Sequence, residues 1–243
     1  MHCIQASQIY DQSLSAYIDS PIGGKNEVQN KALARFLRFL TPGARVLDIG
    51  CGPGGNAKLM IKANPLVHVT GVDLSKAMIG YARKSVPGGT FHCKDIRVMQ
   101  YPENAYDAVI LASVVFHLNP EELIGLIKNI AAALKPDGLL FLNFWSGMYS
   151  GFKRLDFAER PMMVYYYDDS FLFHLVRFFA FGNLAVYRYQ RKLETAVGAE
   201  TITDNYYYGQ TLKNVSEADM DRYDAMKTVL YRIFERGGQK RSR

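Results

Sequence analysis

The sequence predicts an α/β fold, a doubly wound and mostly parallel sheet with an aromatic-rich cap insertion after the fifth strand. Short apolar runs alternate with segments of helical periodicity over residues 26–144. A glycine-dense turn joins the first apolar run to a helix, and acidic residues follow the ends of several predicted strands. Because ligands bind open α/β sheets at those strand ends, the pattern also predicts a binding site there.

The first elements of this pattern surround the glycine-dense turn. A helix is predicted over residues 28–40, where apolar side chains recur at helical spacing. Residues 45–49 predict a buried strand and residues 56–61 a second helix. Glycine lets a backbone turn sharply and approach a ligand, and a helix N-terminus presents unpaired N–H groups. Strand, glycine turn and helix together predict a nucleotide-cofactor site.

The residue ahead of the turn separates two classes of cofactor. Gly50-x-Gly52-x-x-Gly55 matches the dinucleotide-binding fingerprint, which receives a pyrophosphate. Asp48, two residues before the first glycine, would repel that pyrophosphate. An acid there suits a cofactor that is cationic at its near end, and S-adenosylmethionine carries a sulfonium and an ammonium group and no phosphate. The Lys-Ser/Thr pair of a phosphate-binding loop is also missing from this turn.

The stretch that begins at Asp48 resembles motif I, D-x-G-x-G-x-G, of the class I S-adenosylmethionine-dependent methyltransferases. The resemblance extends over residues 26–144, and it implies a Rossmann-like fold with S-adenosylmethionine as the cofactor. It also implies that Asp48 anchors the methionine amino group, often through water. The loop residues assigned to the cofactor site are Gly50, Cys51, Gly52 and Gly54. A glycine turn that binds no ligand is the alternative interpretation.

Two more acids continue the series. The second predicted strand ends at Asp73, about twenty residues beyond the loop, where a carboxylate can accept hydrogen bonds from both ribose hydroxyls. Leu74, next to it, is assigned to the same site, and a helix-capping role for Asp73 is the alternative. After a short third strand, the resemblance implies that Asp95 meets the adenine amino group and that the Ile96 N–H meets a ring nitrogen.

The fourth predicted strand covers residues 106–112, and its last residue, Ala112, is assigned to the cofactor site. His117 follows this strand and is a candidate catalytic base, although a positioning or packing role fits equally well. Asn119-Pro120-Glu121-Glu122 predicts a helix start, because it combines an Asn cap, a first-turn proline and an acid. Residues 139–144 predict the fifth strand.

The rest of the chain completes the predicted domain organisation. The chain divides into an N-terminal lid segment, a cofactor-binding core, a substrate-cap insertion and a C-terminal part of the core, at residues 1–25, 26–144, 145–183 and 184–243. Tyr10 and Tyr17 either line the lid, as candidate catalytic residues, or pack on the first helix. The tyrosines at 165–167 are candidate substrate contacts, with core packing as the default interpretation.

Beyond the insertion, the pattern predicts a helix over residues 184–197, a sixth strand over 200–208 and a helix over 216–236. No clean seventh strand is apparent, although the resembled family normally has one as an antiparallel edge. Three consecutive tyrosines, at 206–208, fall on the predicted sixth strand. Because successive side chains of a strand point to opposite faces, these three rings cannot all face one pocket.

Composition limits the setting in which the protein acts. The 243 residues carry a formal net charge of +6 and a pI near 9.1, and three of the cations lie in the last residues of the chain. A solvated tail explains them better than a nucleic-acid-binding patch. The three cysteines lack metal-ligand spacing, so no metal site is predicted. Without a signal-peptide pattern or a run of about 18 apolar residues, a cytoplasmic protein with no membrane partner is predicted.

The predicted function is methyl transfer from S-adenosylmethionine to a nitrogen or oxygen of a small molecule. The Asn/Asp-Pro-Pro-aromatic signature of base N-methylation would begin after strand four, where the chain reads Ser113-Val114-Val115-Phe116. We therefore expect no DNA substrate. An RNA methyltransferase, favoured by the basic pI, is one alternative, and a binding or regulatory protein that does not turn over is another. A homodimer is compatible with any of the three.

Overall fold

The computed structural model describes residues 2–20, 26–147, 151–157, 160–179, 181–195 and 198–211. The helices within them are α1 (His2–Gln12), α2 (Leu14–Asp19), α3 (Glu27–Phe36), α4 (Gly55–Ala63), α5 (Lys76–Ser85), α6 (Pro120–Ala133) and α7 (Asp169–Phe178). The strands are β1 (Arg45–Ile49), β2 (His68–Asp73), β3 (Thr90–Cys93), β4 (Tyr106–Leu111), β5 (Leu134–Gly147), β6 (Gly151–Phe157), β7 (Arg160–Tyr166), β8 (Phe181–Thr195) and β9 (Gly198–Thr211).

Seven strands form one sheet in the order β3-β2-β1-β4-β5-β9-β8. The contacts among the first five strands are all parallel, and β9 is antiparallel to both of its neighbours. The predicted doubly wound, mostly parallel α/β fold is therefore confirmed. Because parallel strands share an orientation, the residues that follow β1, β2 and β4 meet at one edge of the sheet.

The central strands are buried on both faces, which explains their continuous apolar sequences. Successive residues of β1 point to opposite sides, so that Val46 joins a core cluster with α3, α4 and α5 while Leu47 joins a second cluster with α6 and α7. The asparagine at the start of α6 forms the predicted capping box: the Asn119 side chain accepts from Glu122 N, and the Glu122 side chain accepts from Asn119 N.

The sequence prediction for the end of the sheet is wrong for one element and right for another. Residues 184–197, predicted as a helix, lie mostly in β8, and the predicted sixth strand over 200–208 belongs to β9. β8, the antiparallel strand at the edge of the sheet, is the seventh strand that the pattern did not reveal. The physical reason is long-range pairing, since β8 and β9 form a hairpin along almost their whole length. Tertiary pairing of this kind overrides local helix propensity. The helix predicted over 216–236 lies outside the described residues.

The segment predicted as a cap insertion has two parts with different packing. β6 and β7 form a separate two-stranded antiparallel sheet outside the main one. α7, in contrast, packs in the core cluster that contains α6. A third, small cluster contains Ala6 and Ile9 of α1 together with Trp145 and residues of β7 such as Val164. The N-terminal helix and the hairpin therefore pack against each other.

No helix within the described residues is long and apolar enough to cross a membrane.

Tyr208 connects the late strand β9 to the early helix α3. Its buried hydroxyl donates to the Ala32 carbonyl, and its ring contacts Phe36. We expect Tyr208→Phe to lower the free energy of unfolding by about 1 kcal/mol, since a buried hydrogen bond is lost without a cavity. Chemical denaturation measures this. Tyr187→Phe, at an exposed position of β8, is the control and should change it by less than about 0.5 kcal/mol. Equal midpoints for both variants would contradict the assigned contact.

Candidate functional site

A cleft of about 700 Å³, including the part open to solvent, lies where β1, β2 and β4 end. It brings together most of the predicted cofactor residues, namely Gly50, Gly52, Asp73, Leu74, Asp95 and Ile96, and also Ala112. The three candidate catalytic residues, Tyr10, Tyr17 and His117, line the same cleft. Two of the three acids read from the sequence, Asp73 and Asp95, therefore line one cleft, and Asp48 is not among its lining residues.

The glycine loop has the backbone geometry that its sequence predicts. Gly50 and Gly52 have φ values of +68° and +52°, a left-handed region that disfavours other residues. A Cβ at Gly50 would lie 2.1 Å from Val114 Cγ2, so this turn also needs the space. The backbone N–H groups of Gly50 and Cys51 donate to the Val72 carbonyl, which fastens the loop to β2.

Two predicted loop residues lie behind the cleft wall. Cys51 is buried in the core cluster on the α3 face of the sheet, and a Cβ at Gly71 would come within 2.8 Å of its sulfur. Gly54 starts α4 with a φ of +87°, where a Cβ would meet Ala82 and Val86 of the neighbouring segment. The side chain of Cys51 and the missing side chain of Gly54 thus serve packing.

Asp73 fixes the loop from the end of β2. Its Oδ2 accepts from Gly52 N at 2.9 Å, and its Oδ1 accepts from Ser75 N at 2.8 Å. Burial raises the pKa of Asp73, while these backbone hydrogen bonds act in the opposite direction. An ionised carboxylate has about four acceptor sites, so it can still accept from a ligand beside these backbone groups. This geometry fits a diol at the cleft.

Asp48 is fully buried beneath the loop. Asn56 Nδ2 donates to its Oδ1 at 3.3 Å, and among the described residues its Oδ2 has no hydrogen-bond partner. Burial raises the pKa of Asp48 to about 7. A buried carboxylate oxygen without a partner is costly, so a cationic or hydrogen-bonding ligand group next to it would be stabilising.

Asp95 lies in the cleft but is already engaged by a residue that the sequence analysis missed. Arg97 donates to both of its carboxylate oxygens, at distances down to 2.6 Å, and also pairs with Glu122 at 2.9 Å. The hydrogen bond from Arg97 lowers the pKa of Asp95. Asp95 therefore stays ionised, and its charge is offset by a guanidinium. An Arg two residues after an acid in a loop gives no signal of this pairing.

The candidate catalytic residues form an aromatic cluster at the lid side of the cleft. The Tyr10 hydroxyl lies 3.0 Å from His117 Nε2, and the Tyr10 ring makes edge contacts with both His117 and Tyr17. Burial lowers the pKa of His117 to about 4. The imidazole is therefore neutral near pH 7 and weakly basic, which favours a positioning role over strong general-base catalysis.

The three tyrosines at 165–167 lie apart from this cluster. Tyr167 is buried, and its hydroxyl donates to the Leu118 carbonyl at 2.5 Å. Tyr165 stacks on Tyr167, and Tyr166 packs near Trp145 in the α1–hairpin cluster. The cleft walls formed by the described residues include none of the three. Their default interpretation, packing, is the one that the geometry supports.

Asp11 holds the N-terminal helix over the cleft. Its Oδ1 accepts from Ser75 Oγ at 2.6 Å and from Ala77 N at 2.9 Å, at the N-terminus of α5. A carboxylate is stabilised at a helix N-terminus by the unpaired N–H groups there. Since Ser75 N donates to Asp73, one residue connects the helix over the cleft to the carboxylate inside it.

We expect Asp11→Ala to release α1 from α5. Loss of two charge-assisted hydrogen bonds should increase amide hydrogen exchange in α1 at least about tenfold. Asp11→Asn keeps one acceptor oxygen and should have a smaller effect, which makes it the control. Exchange in α1 that is the same in the wild type and in Asp11→Ala would show that Asp11 does not retain the helix.

Comparison with known proteins agrees with this geometry. Residues 46–138 match a family described as a methyltransferase domain. The 2-methyl-6-phytyl-1,4-hydroquinone methyltransferase of Synechocystis sp. is 29% identical over 160 residues, which cover 62% of this chain and 49% of that protein. The chain thus spans about half or less of the length of the curated relatives it matches.

Solved structures resemble the whole sheet. Haemonchus contortus phosphoethanolamine N-methyltransferase 2, in complex with phosphomonomethylethanolamine and S-adenosylhomocysteine, has a TM-score of 0.65 at 16% identity, over 86% of this chain and 59% of that one. The [4+2]-cyclase SpnF has a TM-score of 0.67 at 17% identity, over 86% and 96%. Residues 46–138 thus match a methyltransferase domain, and the fold and the glycine loop resemble those of the class I S-adenosylmethionine-dependent methyltransferases.

Proposed function

We propose that this protein transfers a methyl group from S-adenosylmethionine to a nitrogen or oxygen of a small molecule. The observation that carries the proposal is the buried Asp48 carboxylate, which has one oxygen without a partner among the described residues, behind a glycine loop. This arrangement fits a cationic amino-acid end of a cofactor and opposes a pyrophosphate. Asp73 in the same cleft fits the ribose diol at the other side of the loop.

The remaining cofactor residues have consistent roles in this proposal. Gly50 and Gly52 provide room for the cofactor to approach the backbone, and Leu74 and Ile96 provide apolar walls for the adenine. Asp95 would accept from the adenine amino group with a lone pair that Arg97 leaves available. Ala112, at the end of β4, is close to where the transferable methyl group would be presented.

When bound, S-adenosylmethionine would supply an activated methyl group on a sulfonium. Transfer of that methyl group leaves a neutral thioether. The chain has to align the acceptor and exclude water. Tyr10, Tyr17 and His117 would do so from the lid side, because they are partly buried and the Tyr10 ring contacts both of the others. A neutral His117 orients an acceptor hydroxyl or amine through a hydrogen bond, and any proton released on transfer passes to water.

The relatives support a small-molecule acceptor. The names of the matched proteins specify a hydroquinone, trans-aconitate and phosphoethanolamine as acceptors in those proteins. The cleft agrees, since α1 contributes Ala6, Ser7 and Tyr10 to its wall and so encloses it on one side. We propose that residues 1–25 act as a lid and that the β6–β7 hairpin supports it. Homodimer formation and a cytoplasmic location stay predictions.

A second candidate function is chemistry without methyl transfer on the same fold. The likeness to a [4+2]-cyclase favours this candidate, because that protein shares the architecture over 86% of this chain. An RNA methyltransferase, suggested by a pI near 9.1, is the third. Isothermal calorimetry with S-adenosylmethionine, followed by turnover with a panel of phenols, amines and carboxylates, separates them. Cofactor binding without turnover of any of these, or turnover of RNA alone, would contradict our proposal.

We expect Asp73→Ala to weaken S-adenosylmethionine binding by roughly 1.5–3 kcal/mol, or about 10- to 100-fold, because charged hydrogen bonds to the ribose are lost. Calorimetry measures this. Asp107→Ala is the matched control, since Asp107 is a strand carboxylate at the opposite edge of the sheet that accepts from Arg45 N and Lys135 Nζ. Unchanged affinity in a folded Asp73 variant would remove this residue from the site.

Tyr10→Phe should affect the acceptor and not the cofactor. The variant keeps the ring and loses the hydroxyl that lies 3.0 Å from His117 Nε2. We expect kcat/KM for the acceptor to fall at least about tenfold while the Kd for S-adenosylmethionine changes less than about twofold. Tyr81→Phe, on the exposed side of α5, serves as the control. An equal loss of cofactor affinity would mean that Tyr10 belongs to the cofactor site.

A further inference from the structure

A row of buried polar side chains connects the cleft to Asp48, and we call it the donor chain. Ser113 Oγ donates to Gln29 Oε1 at 2.8 Å, and Gln29 Nε2 donates to Asn56 Oδ1 at 3.3 Å. Asn56 Nδ2 then donates to Asp48 Oδ1 at 3.3 Å. The four residues come from the turn after β4, from α3, from α4 and from β1. Ser113 lines the cleft, so the chain runs from the cleft wall to the buried Asp48 behind the glycine loop.

The direction of the donor chain is determined by its last member. An ionised carboxylate only accepts hydrogen bonds, so Asn56 must present its NH₂ group to Asp48. The Asn56 oxygen then faces Gln29, which must present its own NH₂ group, and the Gln29 oxygen is left for the Ser113 hydroxyl. Reversing either amide would place oxygen against oxygen, or NH₂ against NH₂. Every donor in the row therefore points toward Asp48.

The side chains of this row are buried deeply enough that their hydrogen bonds are needed for stability. Gln29, Asn56 and Asp48 are 9%, 8% and 0% exposed, and amides at such depth are costly unless they are hydrogen-bonded. Ser113 adds a second unusual feature, a φ of +59° in a residue that is not glycine. Its amide and hydroxyl are oriented by Asn143 Oδ1, which accepts from Ser113 N at 3.2 Å. Strained backbone of this kind persists where the surrounding structure imposes it.

We infer that Asn56 and Gln29 are positioning residues, which hold one oxygen of the Asp48 carboxylate and leave the other directed to the amino group of the cofactor. The inference rests on the proposed function for the identity of the ligand. It assigns a role to two amides that the sequence pattern left as ordinary helix residues. Ser113, which donates to Gln29, would extend this positioning network to the turn after β4.

The charges around Asp48 determine the sign of the expected pH effect. Asp73 faces it from β2, Tyr17 from α2 and Cys51 from the glycine loop, and none of them is a cation. Burial and Asp73 raise the pKa of Asp48, and the hydrogen bond from Asn56 lowers it. Removing the Asn56 donor should therefore keep Asp48 protonated to a higher pH and so weaken its attraction for a cationic amine.

The first measurement uses the free protein. Because the pKa of Asp48 is raised from its ordinary value to about 7, the folded state binds the proton more tightly than the unfolded state. Its contribution to stability is thus present at low pH and is lost as the pH rises from about 4 to about 7. In Asn56→Leu the loss should continue above about pH 7, and in Asp48→Asn it should disappear. Denaturant titrations across this range measure both.

The second measurement is the Kd for S-adenosylmethionine. We expect the wild type to bind several-fold more tightly at about pH 7.5 than at about pH 6, while Asp48→Asn shows no such difference. At about pH 7.5, Asn56→Leu should bind at least about threefold more weakly than the wild type, and Gln29→Leu should fall between the two. Gln29→Leu also keeps the test available if Asn56→Leu does not fold.

Asn205→Leu is the control for loss of a buried amide. Asn205 is fully buried in β9, and its side chain donates to Ser146 Oγ instead of belonging to the donor chain. This variant should lose stability equally at every pH and keep the wild-type pH profile. If Asn56→Leu also keeps that profile, the inference is wrong. If the wild type fails to bind S-adenosylmethionine while the denaturation profiles shift as expected, the proposed function is wrong and the positioning of Asp48 by Asn56 is supported.

Discussion

The Asp73 carboxylate is the interaction on which the cleft depends. It accepts from Gly52 in the glycine loop and from Ser75 at the start of α5, so that two segments 21 and 2 residues away are fixed relative to β2. Ser75 in turn donates through its hydroxyl to Asp11. The loop, the helix behind it and the helix over the cleft are therefore positioned from one strand end. A carboxylate that organises this many backbone groups is also well placed to meet a ligand diol.

The charged residues in and around the cleft favour a cationic ligand over a neutral one. Asp73 and Asp95 line it, and Asp48 is buried behind its glycine loop. Arg97, a cation in the cleft wall, is paired with Asp95 and Glu122. His117 is neutral near pH 7 because burial lowers its pKa to about 4. Such a cleft attracts a cationic methyl donor such as a sulfonium. Its electrostatic attraction is weaker for the neutral thioether that remains after methyl transfer. The charge pattern thus supports both binding of the donor and release of the product.

The two sides of the cleft are built from different kinds of structure. The cofactor side consists of strand ends and a loop whose backbone is fastened by hydrogen bonds to β2. The side that we propose as the lid consists of α1 and α2. Apolar residues of α1 pack on β7, and polar contacts join Asp11 to α5 and Tyr10 to His117.

The sequence by itself determined the central fold and most of the residues that meet at the glycine-loop side of the cleft. Glycines before a helix, apolar runs and acids at strand ends are local signals, because they reflect backbone dihedrals and burial within a few residues. The prediction that Tyr206, Tyr207 and Tyr208 alternate between faces is confirmed in the same way: Tyr207 joins one core cluster, and its two neighbours join the other.

The tertiary structure decided what depends on distant partners. The hairpin of β8 and β9 replaced a predicted helix, because its stability comes from cross-strand pairing that helical spacing does not report. Asp11 reaches a hydroxyl 64 residues away, and Gln29 reaches Asn56 across 27 residues. Arg97 and Ser113 entered the site for the same reason. A side chain's partner is set by packing in three dimensions, and no spacing along this chain encodes it.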